Sequence, residues 1–317
     1  MRVLFVSSGN RDKISTFIFE QGNALIKAGI PIDFFLIKGK GLTGYLSNLS
    51  LLKRRIKLFN PDIVHAHFGL SGAVASLQFL KPKVVTLHGS DVSSKINNII
   101  TSIVSLLADC VITVNEKMPN SLFVKPINEY SVIPCGIGLE TFYPFDKFEA
   151  RTRLGWNVED KIIVFSSSFT NPVKNYKLAK LAIANLTNDY NKLRLVELHG
   201  KNRNEVNDIL NAADLLLMTS FSEGSPQIVK EAMACNLPIV STDVGDVRWV
   251  IGDTKGCYVT TFDPVDVVEK IKLALEFSEK IGRIKGRERI IELGLDSETI
   301  AKKVIDVYNS VLKKNIK

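Results

Sequence analysis

The densest group of residues able to do chemistry lies between positions 220 and 251, S-F-S-E-G-S-P-Q-I-V-K-E-A-M-A-C-N-L-P-I-V-S-T-D-V-G-D-V-R-W-V-I. Two carboxylates, Glu223 and Glu231, stand there with seven residues between them, and a short apolar strand, 215–218, runs in ahead of them. Ser225-Pro226 suits an N-cap followed by the first helical position. That hangs Glu223 in a strand-to-helix loop and puts Glu231 on the helix, its side chain leaning back toward the N-terminus. Both carboxylates then face one crevice at the carboxyl end of a parallel sheet, where open α/β sheets bind ligands. The helix start over Gly224, Ser225, Pro226, Gln227 and Ile228 brings N–H groups unused by the helix itself and a positive dipole end, a seat for phosphate. The carboxylates accept hydrogen bonds from sugar and ribose hydroxyls. A solvated acidic helix face is the ordinary alternative for a pair of glutamates.

The elements that must position these residues follow from the alternation of the chain. Buried strands separated by helices run from 3–7 through 32–37, 62–67, 83–88 and 109–114, with helices near 14–28, 45–59, 71–80 and 94–108. Strands alternating with helices mean βαβ units and a parallel sheet. The stretch 130–145, with two prolines and two glycines, fits no helical period and reads as a linker. A second alternation begins near 161: strands 161–167, 193–198, 214–219, 238–241 and 256–259, with helices 175–188, 204–212, 226–235 and 245–251. The last sixty or so residues read as helical from Pro264 onward. No internal repeat relates the two halves.

Composition bounds the rest. The 317 residues are enough for two domains, and no apolar run approaches the roughly 20 residues of a membrane span. The opening M-R-V-L-F-V-S-S-G-N enters a strand without signal-peptide flanks, so a cytoplasmic location is expected. Cys110, Cys135, Cys235 and Cys257 form no C-x-x-C pair, and reduced thiols are expected rather than a zinc site or a disulfide framework. The formal charge of +8 favours acidic partners, nucleotide sugars or anionic lipid headgroups among them, and no nucleic-acid motif accompanies it. His65 and His67 share one face of a strand, but no neighbouring Cys or carboxylate completes a metal site.

The tail A-M-A-C-N-L-P-I-V-S-T-D-V-G-D-V, a small-residue helix, tight turn and buried strand, resembles the donor-binding signature of family-4 retaining glycosyltransferases of the GT-B type. Within that group E-G-S-P-Q-I-V-K-E-A-M-A-C-N-L-P is most similar to bacterial enzymes of surface-polysaccharide synthesis of the teichuronic-acid type. The segment 130–145 resembles their interdomain linker, V-I-P-N-G-V-D with a later F-x-P, with Cys135 in place of the usual Asn.

The resemblance implies an α/β GT-B fold: two Rossmann-like domains with parallel sheets facing a central cleft. An acceptor-side domain would span 1–138, joined by a C-terminal helix from about 297 to 317 that crosses back, and a nucleotide-sugar domain would span 139–296. It implies that Glu223 meets the donor sugar and Glu231 the ribose. It puts His88, in T-L-H-G-S-D, beside the sugar, with Asp91 able to meet an acceptor hydroxyl or simply to cap a helix. Lys174 matches the lysine that grips the diphosphate of such donors. The arginine expected six residues earlier is Ser168 here, and Lys201 or Arg203 could supply the missing cation. Gly200, Lys201 and Arg203 stand where the nucleobase is met. The loop 8–15 with Gly9 faces the phosphates, carrying Ile14-Ser15 where the family often has a Gly-Gly pair.

No cofactor is implied beyond the nucleotide diphosphate-sugar co-substrate, and without a D-x-D sequence no carboxylate-held divalent metal. The acceptor would be a saccharide or a lipid-linked saccharide. Tyr45, Leu46, Leu49, Leu52, Ile56 and Phe59, flanked by Lys53, Arg54, Arg55 and Lys57, form a helical stripe that could lie on an anionic membrane surface or pack on the sheet. A nucleotide-sugar epimerase and a non-catalytic nucleotide-sugar-binding subunit are the alternatives.

Overall fold

A computed structural model describes the chain except residues 11–13, 93, 125–129, 187–189, 191 and 316–317. Two compact units divide it: residues 1–136 together with 297–317, and residues 137–296. Both are built on wholly parallel sheets wrapped by helices, the α/β architecture that strand–helix alternation demands.

In the first unit, β1 (Val3–Ser8), β2 (Ile32–Ile37), β3 (Ile63–His67), β4 (Lys83–Leu87), β5 (Cys110–Thr113) and β6 (Tyr130–Val132) pair in the order β2-β1-β3-β4-β5-β6. The helices α1 (Thr16–Lys27), α2 (Gly41–Leu46), α3 (Leu49–Phe59), α4 (Gly69–Ser76), α5 (Lys95–Leu107) and α6 (Met118–Ser121) connect them. The C-terminal helix Ser297–Asn315 packs beside α1 and buries Tyr308 completely. Strands such as V-L-F-V and K-V-V-T-L are buried on both faces and therefore carry no polar alternation.

Two expectations change here. The single helix read over 45–59 is two. Asn48 interrupts it because its amide donates to the carbonyls of Lys38 and Gly44, each at 2.8 Å, and thereby ties the break to the end of β2. Of the two placements open to the stripe, the structure has the one packed on the sheet. Tyr45, Leu52 and Ile56 are buried against β1, β3 and α4, with Leu49 and Phe59 packed on them, so it offers no apolar face to lipid. Residues 130–132, read as part of a linker, are the edge strand β6.

The second unit has a five-stranded sheet, β11-β10-β9-β7-β8, from β7 (Lys161–Phe165), β8 (Leu193–Glu197), β9 (Leu215–Met218), β10 (Ile239–Thr242) and β11 (Cys257–Thr260). Its helices are α7 (Lys147–Leu154), α8 (Tyr176–Leu186), α9 (Arg203–Ala212), α10 (Gln227–Ala234), α11 (Val247–Ile251), α12 (Pro264–Lys280) and α13 (Gly286–Glu292). The unanticipated α7 is capped by Asp146 and fixed by Arg151, whose guanidinium donates to the buried Asp214 at 2.9 Å and to the Ala212 carbonyl at 2.9 Å. That pairing satisfies a carboxylate which burial alone would make costly. β9, at the centre of the sheet beside the switch in strand order, delivers the chain to Glu223.

Candidate active site

The segment leaving β9 is stitched to the turn after β7. The Thr219 hydroxyl lies 3.0 Å from the carbonyls of both Lys174 and Asn175, and the Phe221 N–H donates to the Val173 carbonyl at 2.9 Å. The turn Pro172–Lys174 is itself set by the Asn171 side chain, which caps the Val173 N–H, and by Asn175 in the left-handed region at φ 51°. These contacts bring the Lys174 ammonium to 2.6 Å from the Glu223 carboxylate, with both side chains mostly covered.

Helix α10 begins at Gln227, one residue later than expected, because Pro226 is still extended at ψ 115° and serves as the N-cap. Ser225 does not cap the helix. Its hydroxyl donates to the Asp246 carboxylate at 2.5 Å and accepts from the Lys230 ammonium at 2.6 Å. On the same helix Glu231 is only 4% exposed, and Arg203 at the start of α9 donates to its carboxylate at 2.6 Å. Burial raises the Glu231 pKa, while the Arg203 charge opposes that rise. The Arg203 guanidinium also lies 4.4 Å over the Phe142 ring, so it is held by an ion pair and by a face-on aromatic contact.

The other candidates of this unit lie at strand ends. Ser168 follows β7 in a hydroxyl-bonded turn, its oxygen 2.9 Å from that of Thr170. Gly200 takes φ +68° in the turn after β8, a conformation that glycine adopts without strain. Lys201 reaches Glu205 at 3.7 Å, and Asn202 with Glu205 forms the capping box that starts α9. Arg203 is thus engaged with Glu231 as Lys174 is with Glu223.

In the first unit, Gly9 lies so close to β2 that a Cβ there would come 2.8 Å from the Leu36 Cβ, so glycine serves close strand packing. Of the loop 8–15, residues 11–13 lie outside the described residues; Asn10 bridges to both backbone groups of Gly39. Asp91 is turned inward: its two carboxylate oxygens accept the Gly69 and His88 N–H groups, each at 2.6 Å. Burial raises its pKa and those backbone donors lower it. It therefore acts as the loop's internal brace, and its carboxylate is not presented to an acceptor hydroxyl.

His88 stands in a column of imidazoles. Its Nε2 lies 3.2 Å from His67 Nδ1, and His67 stacks on His65 with centroids 4.4 Å apart. His65 in turn lies 2.6 Å from the Tyr308 hydroxyl and 2.7 Å from that of Thr86. The second His88 nitrogen, Nδ1, is 3.7 Å from the Cys135 sulfur. Both ring nitrogens of His88 are thus directed at protein groups. Burial keeps the column neutral, pushing His65 down to about 3 and His67 and His88 in the same direction. Among the described residues no group of three or more His, Cys, Asp or Glu side chains is arranged to hold a metal ion.

Sequence reading did not find Gly245, Asp246 and the interior position of Lys230. Their signal was present only as D-V-G-D-V, whose Asp246 lies sixteen residues and one strand beyond the lysine, which periodicity cannot connect.

Comparison with known proteins follows the same division. Residues 13–141 match the family model for Glycosyltransferase Family 4, and residues 176–276 match that for Glycosyl transferases group 1. TuaC of Bacillus subtilis, named for glycosyl transfer in teichuronic acid biosynthesis, is 30% identical over 222 residues, covering 61% of this chain and 56% of TuaC. The chain thus spans little more than half the length of that relative. The N-acetyl-alpha-D-glucosaminyl L-malate synthase of Bacillus anthracis is 26% identical over 294 residues, 80% of this chain and 76% of that one. Among solved structures, sucrose-phosphate synthase from Thermosynechococcus elongatus superposes with a TM-score of 0.83 at 18% identity, over 99% of this chain and 100% of that one. HepE from Anabaena, in complex with UDP-glucose, gives 0.75 at 16% identity, over 98% and 100%. Both share the GT-B fold with it. The chain thus carries a Glycosyltransferase Family 4 domain over residues 13–141 and a Glycosyl transferases group 1 domain over residues 176–276, the latter covering the loop and helix that hold Glu223 and Glu231.

Proposed function

We propose that the protein transfers a sugar from a nucleotide diphosphate donor to a saccharide or lipid-linked saccharide acceptor, with retention of anomeric configuration and without a metal, in the building of a surface polysaccharide. The observation that carries this reading is the pair of carboxylates around one strand-to-helix loop, each with its own cation: Glu223 with Lys174 and Glu231 with Arg203, both at 2.6 Å.

The two pairs divide the work. Glu231, oriented by Arg203, accepts the ribose hydroxyls. Glu223 accepts hydroxyls of the sugar and orients its anomeric carbon. Lys174, neutralised by Glu223 in the free protein, turns to the diphosphate when a donor binds. As the glycosidic bond breaks, negative charge grows on the leaving diphosphate, and a fixed ammonium there stabilises the transition state more than the ground state. The first N–H groups of α10 add to the same field. Ser168 brings no charge to this place, so Lys174 carries a larger share. A donor phosphate oxygen takes the acceptor proton. No helix of the described chain is long and apolar enough to cross a membrane; a lipid-linked acceptor would be met by the basic flank of α3 through Arg54 and Lys57, with Arg55 paired to Asp33, while the apolar stripe stays inside.

UDP-glucose, present in the HepE structure, and UDP-N-acetylglucosamine are the first donors to test, by thermal shift and by product analysis with labelled sugar. A ligand at 100 times its dissociation constant stabilises the fold by about 2.7 kcal/mol. Slow hydrolysis or transfer supports the transferase. Interconversion of sugars supports an epimerase, and a thermal shift without turnover supports a binding subunit.

A further inference from the structure

We propose that Lys230, Ser225, Asp246 and Gly245 form a clamp, anchored on the buried Lys230 and Asp246, that sets the position of the donor loop, with Lys230 as a positioning residue for the sugar-bearing end of the donor. The proposal rests on the reading of Glu223 given above.

Lys230 has no exposed surface at all. Lysine is almost never fully buried, and when part of it is covered the ammonium normally reaches back to water. Its neighbours on α10, Val229, Ala232 and Met233, are apolar core residues, and an apolar side chain at 230 would satisfy the same packing. Replacing a buried ion pair by apolar groups is often neutral or stabilising. Losing Lys230 alone would expose the cost of the buried Asp246 charge, and a charge kept in the core under that constraint is better explained by what it holds in place. Its ammonium donates to the Ser225 hydroxyl at 2.6 Å, and that hydroxyl donates to Asp246 at 2.5 Å. Ser225 is thereby held from both sides, from the helix behind it and from the loop after β10.

The second half of the clamp is steric. Gly245, at φ +58°, lies against the donor loop backbone to backbone. A Cβ on it would fall 2.5 Å from the Gly224 carbonyl oxygen and 3.1 Å from that of Glu223. Charge fixes Ser225 while close contact fixes the two peptide groups before it, and Glu223 hangs from that segment with its carboxylate on Lys174. Chemistry at an anomeric carbon depends on that placement, whereas ribose binding through Glu231 and Arg203 does not.

The test compares wild type with Lys230→Met, Ser225→Ala and the double variant in donor turnover and in affinity for UDP alone. The clamp predicts kcat lowered about 10- to 100-fold in each single variant, the scale of a sub-ångström to ångström misplacement. It also predicts UDP affinity within about threefold of wild type and a double variant no worse than Lys230→Met, since residues acting as a unit are non-additive. Should Lys230→Met fold poorly, Ser225→Ala, which removes one oxygen, carries the same kcat-against-affinity readout. A kcat within twofold of wild type in folded Ser225→Ala overturns the clamp, as does a parallel loss of UDP affinity, which would make the network a direct ligand contact. If the wild type binds no nucleotide sugar, the reading of the site itself fails, a result separate from an unaffected kcat.

Discussion

Glu223 and Glu231 are each matched to a cation brought from elsewhere in the second unit, and the two carboxylates differ in burial. Glu231 is almost wholly covered and would leave an uncompensated charge if Arg203 were lost, while Glu223 keeps more contact with solvent. Glu231→Ala is therefore expected to weaken nucleoside diphosphate binding, read by titration calorimetry with UDP; unchanged affinity would remove the ribose from Glu231. Lys174→Ala should lower turnover on the order of 10²-fold, the scale for one preorganised electrostatic group. Ser168→Arg, adding a cation after β7, should raise turnover in that background. A wild-type rate in Lys174→Ala would move the diphosphate to another basic residue.

At the scale of elements, the stripe on α2 and α3 belongs to the core of the first unit. Leu52→Ala is expected to lower stability by about 2–5 kcal/mol, the range for a truncated buried leucine, measured by urea unfolding. A variant as stable as wild type that had lost binding to phosphatidylglycerol vesicles would instead put the stripe in lipid. The strands were legible in the sequence because residues buried on both faces read as unbroken apolar runs bounded by turn residues. The break at Asn48 was not, since one of its amide bonds runs ten residues back to Lys38 beyond the end of β2, and no local period records it. The same holds at the site. The two glutamates and Lys174 could be singled out from E-G-S-P and N-P-V-K, but the Arg203 partner of Glu231 lies 28 residues away, and the inward turn of Asp91 depends on the N–H groups of Gly69 and His88.

For the whole molecule, the imidazole column makes acid a destabilising condition. His65, His67 and His88 are held neutral in the folded protein, their pKa values lowered by burial, whereas in the unfolded chain they titrate near 6.5. Above that pH both states are neutral and the column has no effect on pH dependence. As pH falls from about 6.5 toward about 3 the unfolded state takes up protons first, and stability falls by about 1.4 kcal/mol per pH unit for each such imidazole. Urea midpoints measured between pH 5 and 8 should decline below about 6.5 and change less steeply in His65→Gln; a flat wild-type profile would mean the column already takes up protons when folded. Tyr308 on the C-terminal helix closes this column, so the last helix of the chain and the third strand share one polar contact in the first unit.

The central claim is that Glu223 acts on the sugar of a nucleotide diphosphate donor through protein charges alone. The most direct measurement is release or transfer of labelled sugar in the presence of EDTA, comparing wild type with Glu223→Gln and following UDP binding in parallel. The account predicts that wild type turns over in the chelator and that Glu223→Gln loses at least about 10²-fold in rate while binding UDP as wild type does. Turnover that vanishes with EDTA and returns with manganese, or a Glu223→Gln variant as fast as wild type, would contradict it.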